Sequence, residues 1–97
     1  MNNEIWLVGS HRTVNRRMDN GLIAPICEIY SGAADSLAQA DQFQCLIAAA
    51  PELLHELQQL VAGLNYLFGP EKAEGITEDA RAAIAKATAD IREAGTK

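Results

Sequence analysis

One stretch, residues 46–57, constrains the fold of this chain more than any other. It reads Leu-Ile-Ala-Ala-Ala-Pro-Glu-Leu-Leu-His-Glu-Leu, so an alanine-rich run meets Pro51 and a leucine-rich run follows. Proline cannot donate a backbone hydrogen bond and disfavours helical geometry at the residue before it, yet it fits the first turn of a new helix. We therefore predict a helix break at Pro51, and we expect the rest of the chain to pack on this stretch.

Length and composition indicate one small domain, residues 1–97, that is rich in helix. Of its 97 residues, 48% are hydrophobic but only 5% are aromatic, and helix-forming alanine and leucine are frequent. A chain of this size buries little surface alone, so we expect a homo-oligomer. The sequence has no apparent signal peptide and no apolar run of transmembrane length. These features favour a cytoplasmic protein with no membrane partner.

The N-terminal part, residues 4–30, predicts a short antiparallel ribbon of two or three strands. Residues 4–8 are rich in strand-favouring side chains. Residues 19–21, Asp-Asn-Gly, are typical of a hairpin turn because asparagine and glycine tolerate positive φ. The returning strand is predicted over residues 22–30.

Pro25 places a constraint on the returning strand. It lacks a donor for the hydrogen-bond ladder, so we expect it on an edge strand or at a bulge. Regular alternation would place Ala24 and Ile26 on one face and Cys27 on the other.

The helical part, residues 35–94, is predicted to contain three helices, over residues 35–49, 51–68 and 77–94. Together with the ribbon they make the fold class α+β. Apolar side chains recur at three- and four-residue spacing along the second helix, which makes it the clearest of the three.

Turn and capping residues set the expected helix boundaries. Asp35 or Ser36 can cap the first helix, and Gly69-Pro70 is expected to end the second. A polar linker is predicted over residues 71–75, followed by Thr77 as the N-cap of the third helix.

Acidic side chains dominate the charge of the chain. The formal net charge is −5, and residues 34–70 contain no lysine or arginine. Direct nucleic-acid binding needs lysine and arginine to neutralise phosphates, so the charge argues against it and favours a basic protein as partner. The residues that we predict to contact this partner are Asp35, Asp41, Glu52, Glu56, Glu71, Glu74, Glu78 and Asp79.

Two apolar faces are candidates for an oligomer interface. The leucine face of the second helix carries more large side chains than a small domain is expected to cover, and the third helix has a narrow stripe of alanine and isoleucine. The interface residues that we predict are Leu57, Leu60, Leu64, Ile84 and Ile91.

A basic cluster lies before the predicted hairpin turn and consists of His11, Arg12, Arg16 and Arg17. Arginine can bind phosphate or carboxylate through two parallel hydrogen bonds, so the cluster is a candidate anion site. In a symmetric oligomer the cluster would be repeated around an axis and could line a nucleotide pocket. The alternative is that these arginines are ordinary solvated residues at a strand edge.

Enzymatic chemistry is not indicated by the sequence. The histidines and cysteines, His11, Cys27, Cys45 and His55, lack zinc-site spacing, so we expect neither a metal nor another cofactor. Both cysteines are expected to be free, buried thiols. The chain has no glycine-rich phosphate loop and no paired-carboxylate signature, and we predict that it is not an enzyme.

Residues 46–54, Leu-Ile-Ala-Ala-Ala-Pro-Glu-Leu-Leu, resemble a block found in small bacteriophage and prophage accessory proteins. Residues 26–30, 38–44 and 80–88 are also similar to the layout of that group. The resemblance implies a phage gene with a helical tail behind a small ribbon. It implies no catalytic residues and no single activity.

By analogy with such accessory proteins, we predict an inhibitor of a bacterial defence system that acts by stoichiometric binding in the infected host. The leading version is an anti-CRISPR protein whose acidic surface occupies a basic site of an effector complex. One alternative is an oligomeric sponge that sequesters a nucleotide immune signal through the arginine cluster. Another is a structural module whose main act is homo-oligomerisation.

Overall fold

The computed structural model describes residues 4–89 and confirms the α+β fold class. A three-stranded antiparallel sheet comes first and three helices follow. The elements are β1 (Trp6–Val8), β2 (Thr13–Arg17), β3 (Ile23–Glu28), α1 (Leu37–Ala48), α2 (Ala50–Ile76) and α3 (Glu78–Ala87), with short 3-10 turns at Ser10–Arg12 and Ser31–Ala33.

The chain divides into two compact units, with the boundary between Glu52 and Leu53. The first unit holds the sheet, α1 and the start of α2. The second holds the rest of α2 and α3. That the whole chain behaves as one domain, and that the remaining elements pack on residues 46–57, both stay predictions.

The sheet of the first unit is a simple meander in the order β1-β2-β3. Its third strand carries a bulge, because Val14 pairs with Cys27 while Asn15 pairs with Pro25, which leaves Ile26 as an extra residue. Pro25 therefore lies on an edge strand and at a bulge, where its missing N–H is tolerated. The expectation for this proline is confirmed.

The bulge also changes which side chains share a face. Val14 and Arg16 lie two residues apart on β2 and so point to the same side of the sheet, and their partners are Cys27 and Ala24. The prediction that Ala24 and Cys27 lie on opposite faces is wrong. The extra residue at the bulge shifts the alternation of β3 by one position, so both side chains lie on the same face.

Helix α1 begins at a capping motif. The Ser36 hydroxyl accepts a hydrogen bond from the Gln39 backbone N–H at 3.0 Å, and the Gln39 side-chain oxygen accepts one from the Asp35 backbone N–H. This pairing is close to a capping box, which satisfies N–H groups that the helix itself cannot. Of the two predicted caps, Ser36 is the one used.

A single buried side chain ties α1 to the sheet. Gln44 is only 5% exposed, and its amide nitrogen donates hydrogen bonds to the Gly9 carbonyl at 2.9 Å and the Thr13 carbonyl at 2.8 Å. Val14 and Ala40, both fully buried, form the apolar centre of the unit. Polar and apolar contacts therefore hold the same face of α1 against the sheet.

The helix break predicted at Pro51 is confirmed. Helix α1 ends at Ala48, Ala49 forms the cap, and α2 starts at Ala50. Pro51 occupies the first turn of α2, where its missing N–H costs no helical hydrogen bond. Its side chain is buried.

Helix α2 is interrupted at Gly69, which has φ 84° and ψ 156°. This conformation suits glycine, and Pro70 then opens a second helical stretch that runs to Ile76. The polar linker predicted over residues 71–75 is therefore wrong. These residues include glutamate, lysine and alanine, which are good helix formers, and the proline starts a helix here instead of preventing one.

The junction between α2 and α3 is built around Thr77, which is 1% exposed. Thr77 lies at the predicted N-cap position, but its hydroxyl makes no cap bond to α3. The hydroxyl instead donates to the Ala73 carbonyl at 2.7 Å and accepts from Arg81 Nε at 3.1 Å. Arg81 Nη2 also donates to the Glu74 carbonyl, which satisfies an acceptor near the end of α2.

Helix α3 is shorter than predicted. It ends at Ala87, and Ala89 adopts a left-handed φ of 66°. The predicted continuation to Ala94 is wrong for residues 88 and 89, and its remainder lies outside the described residues. The Thr88 hydroxyl bonds back to the Ile84 carbonyl at 2.8 Å, which competes with continuation of the helix.

We expect Gln44→Leu to destabilise the first unit by about 1–3 kcal/mol, because the Gly9 and Thr13 carbonyls lose their donor in a buried setting. Urea denaturation followed by circular dichroism measures this change. Gln42→Leu, at an exposed position of the same helix, serves as the matched control. Equal unfolding midpoints for the two variants would contradict the role assigned to Gln44.

Candidate functional site

Arg16, from the predicted anion cluster, makes a bidentate ion pair within the sheet. Its Nε and Nη2 atoms each lie 2.8 Å from one carboxylate oxygen of Glu4. The Trp6 indole N–H donates to the same carboxylate at 3.0 Å. β1 and β2 are thus joined by side chains as well as by their backbone ladder.

This ion pair shifts the pKa values of both Glu4 and Arg16. The hydrogen bonds from Arg16, and then from Trp6, lower the pKa of Glu4 to about 2 from its ordinary value of 4.5. The same hydrogen bond raises the pKa of Arg16. Both side chains remain partly exposed, so solvent screens the attraction, but the carboxylate stays charged throughout the physiological range.

Arg12 is also engaged inside the first unit. Its Nε donates to the Asp41 carboxylate on α1 at 3.0 Å. Arg12 and the preceding His11 both have a φ of 57°, an uncommon conformation for residues other than glycine. The ion pair and the tight turn therefore hold Arg12 against α1.

The four residues of the predicted basic cluster thus do not form one site. Arg12 faces Asp41, Arg16 faces Glu4, and Arg17 follows Arg16 on the strand and points to the opposite face of the sheet. Arg17 and His11 are exposed. Anion binding by these four residues stays a prediction, and it would have to compete with two existing ion pairs.

Three of the predicted acidic residues are brought together in the second unit. Glu71, Glu74 and Glu78 line an open depression of about 460 Å³ with Gly75 and Arg81. Positions 71, 74 and 78 lie three and four residues apart, which places their side chains on neighbouring turns. We call this surface the acidic depression. Arg81 also lines the depression but was not among the predicted site residues. Its position four residues after Thr77, one helical turn, is the signal in the sequence that could have identified it.

The other predicted acidic residues are not part of this depression. They are Asp35, Asp41, Glu52, Glu56 and Asp79, and all of them are exposed. Asp41 is paired with Arg12, and Glu52 borders a separate cleft in the first unit. Contact between any of these carboxylates and a partner stays a prediction.

A row of leucines lies along the outer edge of α2. Leu53, Leu60 and Leu67 are seven residues apart and are 53%, 60% and 72% exposed. Of the predicted interface residues, Leu60 belongs to this row, whereas Leu57 and Leu64 are half-buried. We call Leu53, Leu60 and Leu67 the leucine row. The seven-residue spacing could have identified it in the sequence.

The remaining predicted site residues lie elsewhere. Ile84 on α3 is half-buried, and Ile91 lies outside the described residues. Both cysteines are free, as predicted, but Cys45 is exposed and only Cys27 is partly buried, so the expectation of buried thiols is wrong for Cys45. Its position on the outer side of α1 explains this difference.

Two further properties concern residues 4–89 as a whole. Within this range, no three histidine, cysteine, aspartate or glutamate side chains are grouped so that they could hold a metal ion. No helix in the same range has the length and apolar character needed to span a membrane.

We expect the Glu4 carboxyl to titrate near pH 2 in the folded protein. A pKa below the unfolded value means that the pair stabilises the fold above pH 4.5 and that this contribution is lost as the pH falls through about 2. Titration by nuclear magnetic resonance measures the pKa directly. Arg16→Gln should raise it towards 4.5, whereas Arg17→Gln, one residue along the strand, should not. The same Glu4 pKa in both variants would contradict the assignment.

Comparison with known families matches residues 3–91 to the family model described as Salmonella phage P22 protein Y8K6. The match covers nearly the whole chain. It confirms the expected phage origin. No curated protein and no solved structure matched the chain.

Proposed function

Because this chain belongs to the Salmonella phage P22 protein Y8K6 family, we propose that it is a phage-encoded inhibitor of a bacterial defence system. It acts inside the infected cell by stoichiometric binding rather than by catalysis. In its most specific form it is an anti-CRISPR protein, and its partner is a host effector complex with a basic surface.

The acidic depression is the observation that supports this proposal best. Glu71, Glu74 and Glu78 bring three carboxylates to one surface, where Arg81 is the single cation among the lining residues. A basic partner surface would complement this excess of negative charge, and complementary charge also accelerates association. The depression therefore favours a cationic protein partner.

The arginines support the sponge alternative less well. A nucleotide bound at Arg12 and Arg16 would have to displace the carboxylates of Asp41 and Glu4. The bidentate geometry of the Glu4 pair is the strong form of such a contact. We therefore favour the acidic surface over the arginine cluster as the functional one.

We expect a purified host CRISPR effector complex to retain the immobilised protein in a pull-down at low salt and to release it as salt rises, because the contact is electrostatic. Neutralising two carboxylates of the depression with Glu71→Gln and Glu74→Gln should strongly weaken retention. The matched control neutralises two exposed carboxylates that are not predicted contacts, with Asp19→Asn and Glu28→Gln, and should retain binding.

Both double variants carry the same net charge, so a difference between them locates the contact. Equal loss of binding in the two variants would show that only total charge matters. Binding that does not depend on salt, or no binding by the wild type, would contradict the anti-CRISPR form of the proposal.

Self-association is a second candidate function, and the leucine row favours it. Leu53, Leu60 and Leu67 are symmetric about Leu60, so two antiparallel copies would place like residues opposite one another. Residues 57–70 contain no charged side chain, so this pairing sets no like charges against each other along that stretch.

We expect light scattering to give a mass above 10.5 kDa for the wild type at high micromolar concentration. Leu60→Glu should return the monomer mass, because it places a charge at the centre of the apolar row. Ala62→Glu, exposed on the opposite side of the helix, is the control and should not. A monomeric wild type would remove both the assembly function and the oligomeric sponge.

A further inference from the structure

A cleft in the first unit lies between β1 and the corner that joins α1 to α2. Its volume is about 400 Å³. Ile5 and Trp6 line it on the β1 side, and Ala48 and Pro51 line it on the corner side. Of the residues that line it, only Glu52 is among the predicted partner contacts.

Two carboxylates border these apolar walls, and no lysine or arginine is among the lining residues. Glu4 is held by Arg16 and Trp6, so its position is fixed. Glu52 lies in the first turn of α2 and is exposed. Because Arg16 balances the charge of Glu4, the cleft combines apolar surface with one carboxylate, Glu52, that is not engaged by Arg16.

We propose that this cleft receives an arginine side chain of the basic protein partner, a proposal that rests on the proposed function. The methylene stem of arginine would cover the apolar walls. Its guanidinium is planar, weakly hydrated and able to contact an aromatic ring, and its parallel donors match the Glu52 carboxylate. A cleft of this volume is within the range of small-ligand pockets.

Lysine has the same charge as arginine, but its side chain matches the Glu52 carboxylate and the aromatic wall of the cleft less well. Its ammonium is a compact, strongly hydrated point charge that cannot form a bidentate contact with a carboxylate. The proposal therefore predicts a preference between two side chains of equal charge, which charge attraction alone would not produce.

Trp6 provides a direct readout because it is the only tryptophan in the chain. Its fluorescence is recorded while an acetylated, amidated tetra-arginine peptide is added to the full-length protein. We expect a saturable change in emission. A tetra-citrulline peptide, which has the same shape without the charge, should produce none, and a tetra-lysine peptide should bind more weakly.

Two charge-matched variants locate the contact. Glu52→Gln should lower the affinity for the arginine peptide by about tenfold, because a hydrogen bond between two charged groups is lost. Glu28→Gln removes one exposed carboxylate of the same unit outside the cleft and should leave the affinity unchanged. Circular dichroism confirms that both variants remain folded.

Several results would overturn the proposal. They are equal responses to the citrulline and arginine peptides, equal affinities for the lysine and arginine peptides, equal affinities in the two variants, or no change in emission. The peptide titration needs no host protein. If it fails while the effector complex still binds, the cleft proposal fails alone, and if it succeeds without such binding, only the choice of partner is wrong.

Discussion

The two hydrogen bonds donated by Gln44 are the interaction on which the first unit depends most. A small sheet needs a hydrophobic face or a helix packed against it for independent stability. Here Val14 and Ala40 are the only fully buried apolar residues on the sheet and on α1. The Gln44 amide reaches the Gly9 and Thr13 carbonyls, which flank the turn between β1 and β2. It therefore positions α1 and that turn together, and Arg12 can reach Asp41 on the same helix.

Charge is used differently by the two units. In the first, Arg12 and Arg16 contact carboxylates that lie far from them in sequence, so they serve the fold. In the second, Arg81 bonds to backbone and to Thr77, while Glu71 and its neighbours in the acidic depression have their charges close together. Three arginines thus serve the fold, and the three carboxylates of the acidic depression outnumber the one arginine that lines it. This division is the physical reason for expecting a basic partner.

Much of the fold could be predicted because the signals were local. The helix break at Pro51, the Ser36 cap and the edge position of Pro25 each follow from the geometry of one residue type. The errors arose where one local signal has two outcomes. Gly69-Pro70 can end a helix or restart one, and the Thr77 hydroxyl can cap the next helix or bond back to Ala73. Packing decides between such outcomes, and packing is not local.

The candidate site was less accessible to sequence reasoning, for a related reason. Composition shows that the chain is acidic, but only the folded arrangement shows that Asp41 is paired and that Glu71, Glu74 and Glu78 share a depression. The same holds for the arginines, whose proximity in sequence suggested one site although adjacent strand residues face opposite ways.

The helix break at Pro51 places an apolar motif beside a surface cleft. The motif at residues 46–57 specifies the end of one helix and the start of the next, and its alanines and leucines carry no reactive groups. Because α2 begins at Ala50, however, Pro51 and Glu52 lie in its first turn and border the same cleft as β1. The helix turn that begins at Pro51 thus carries Glu52 to the border of the cleft. A backbone segment that is already helical need not be ordered on binding, which lowers the entropic cost of contacts made there.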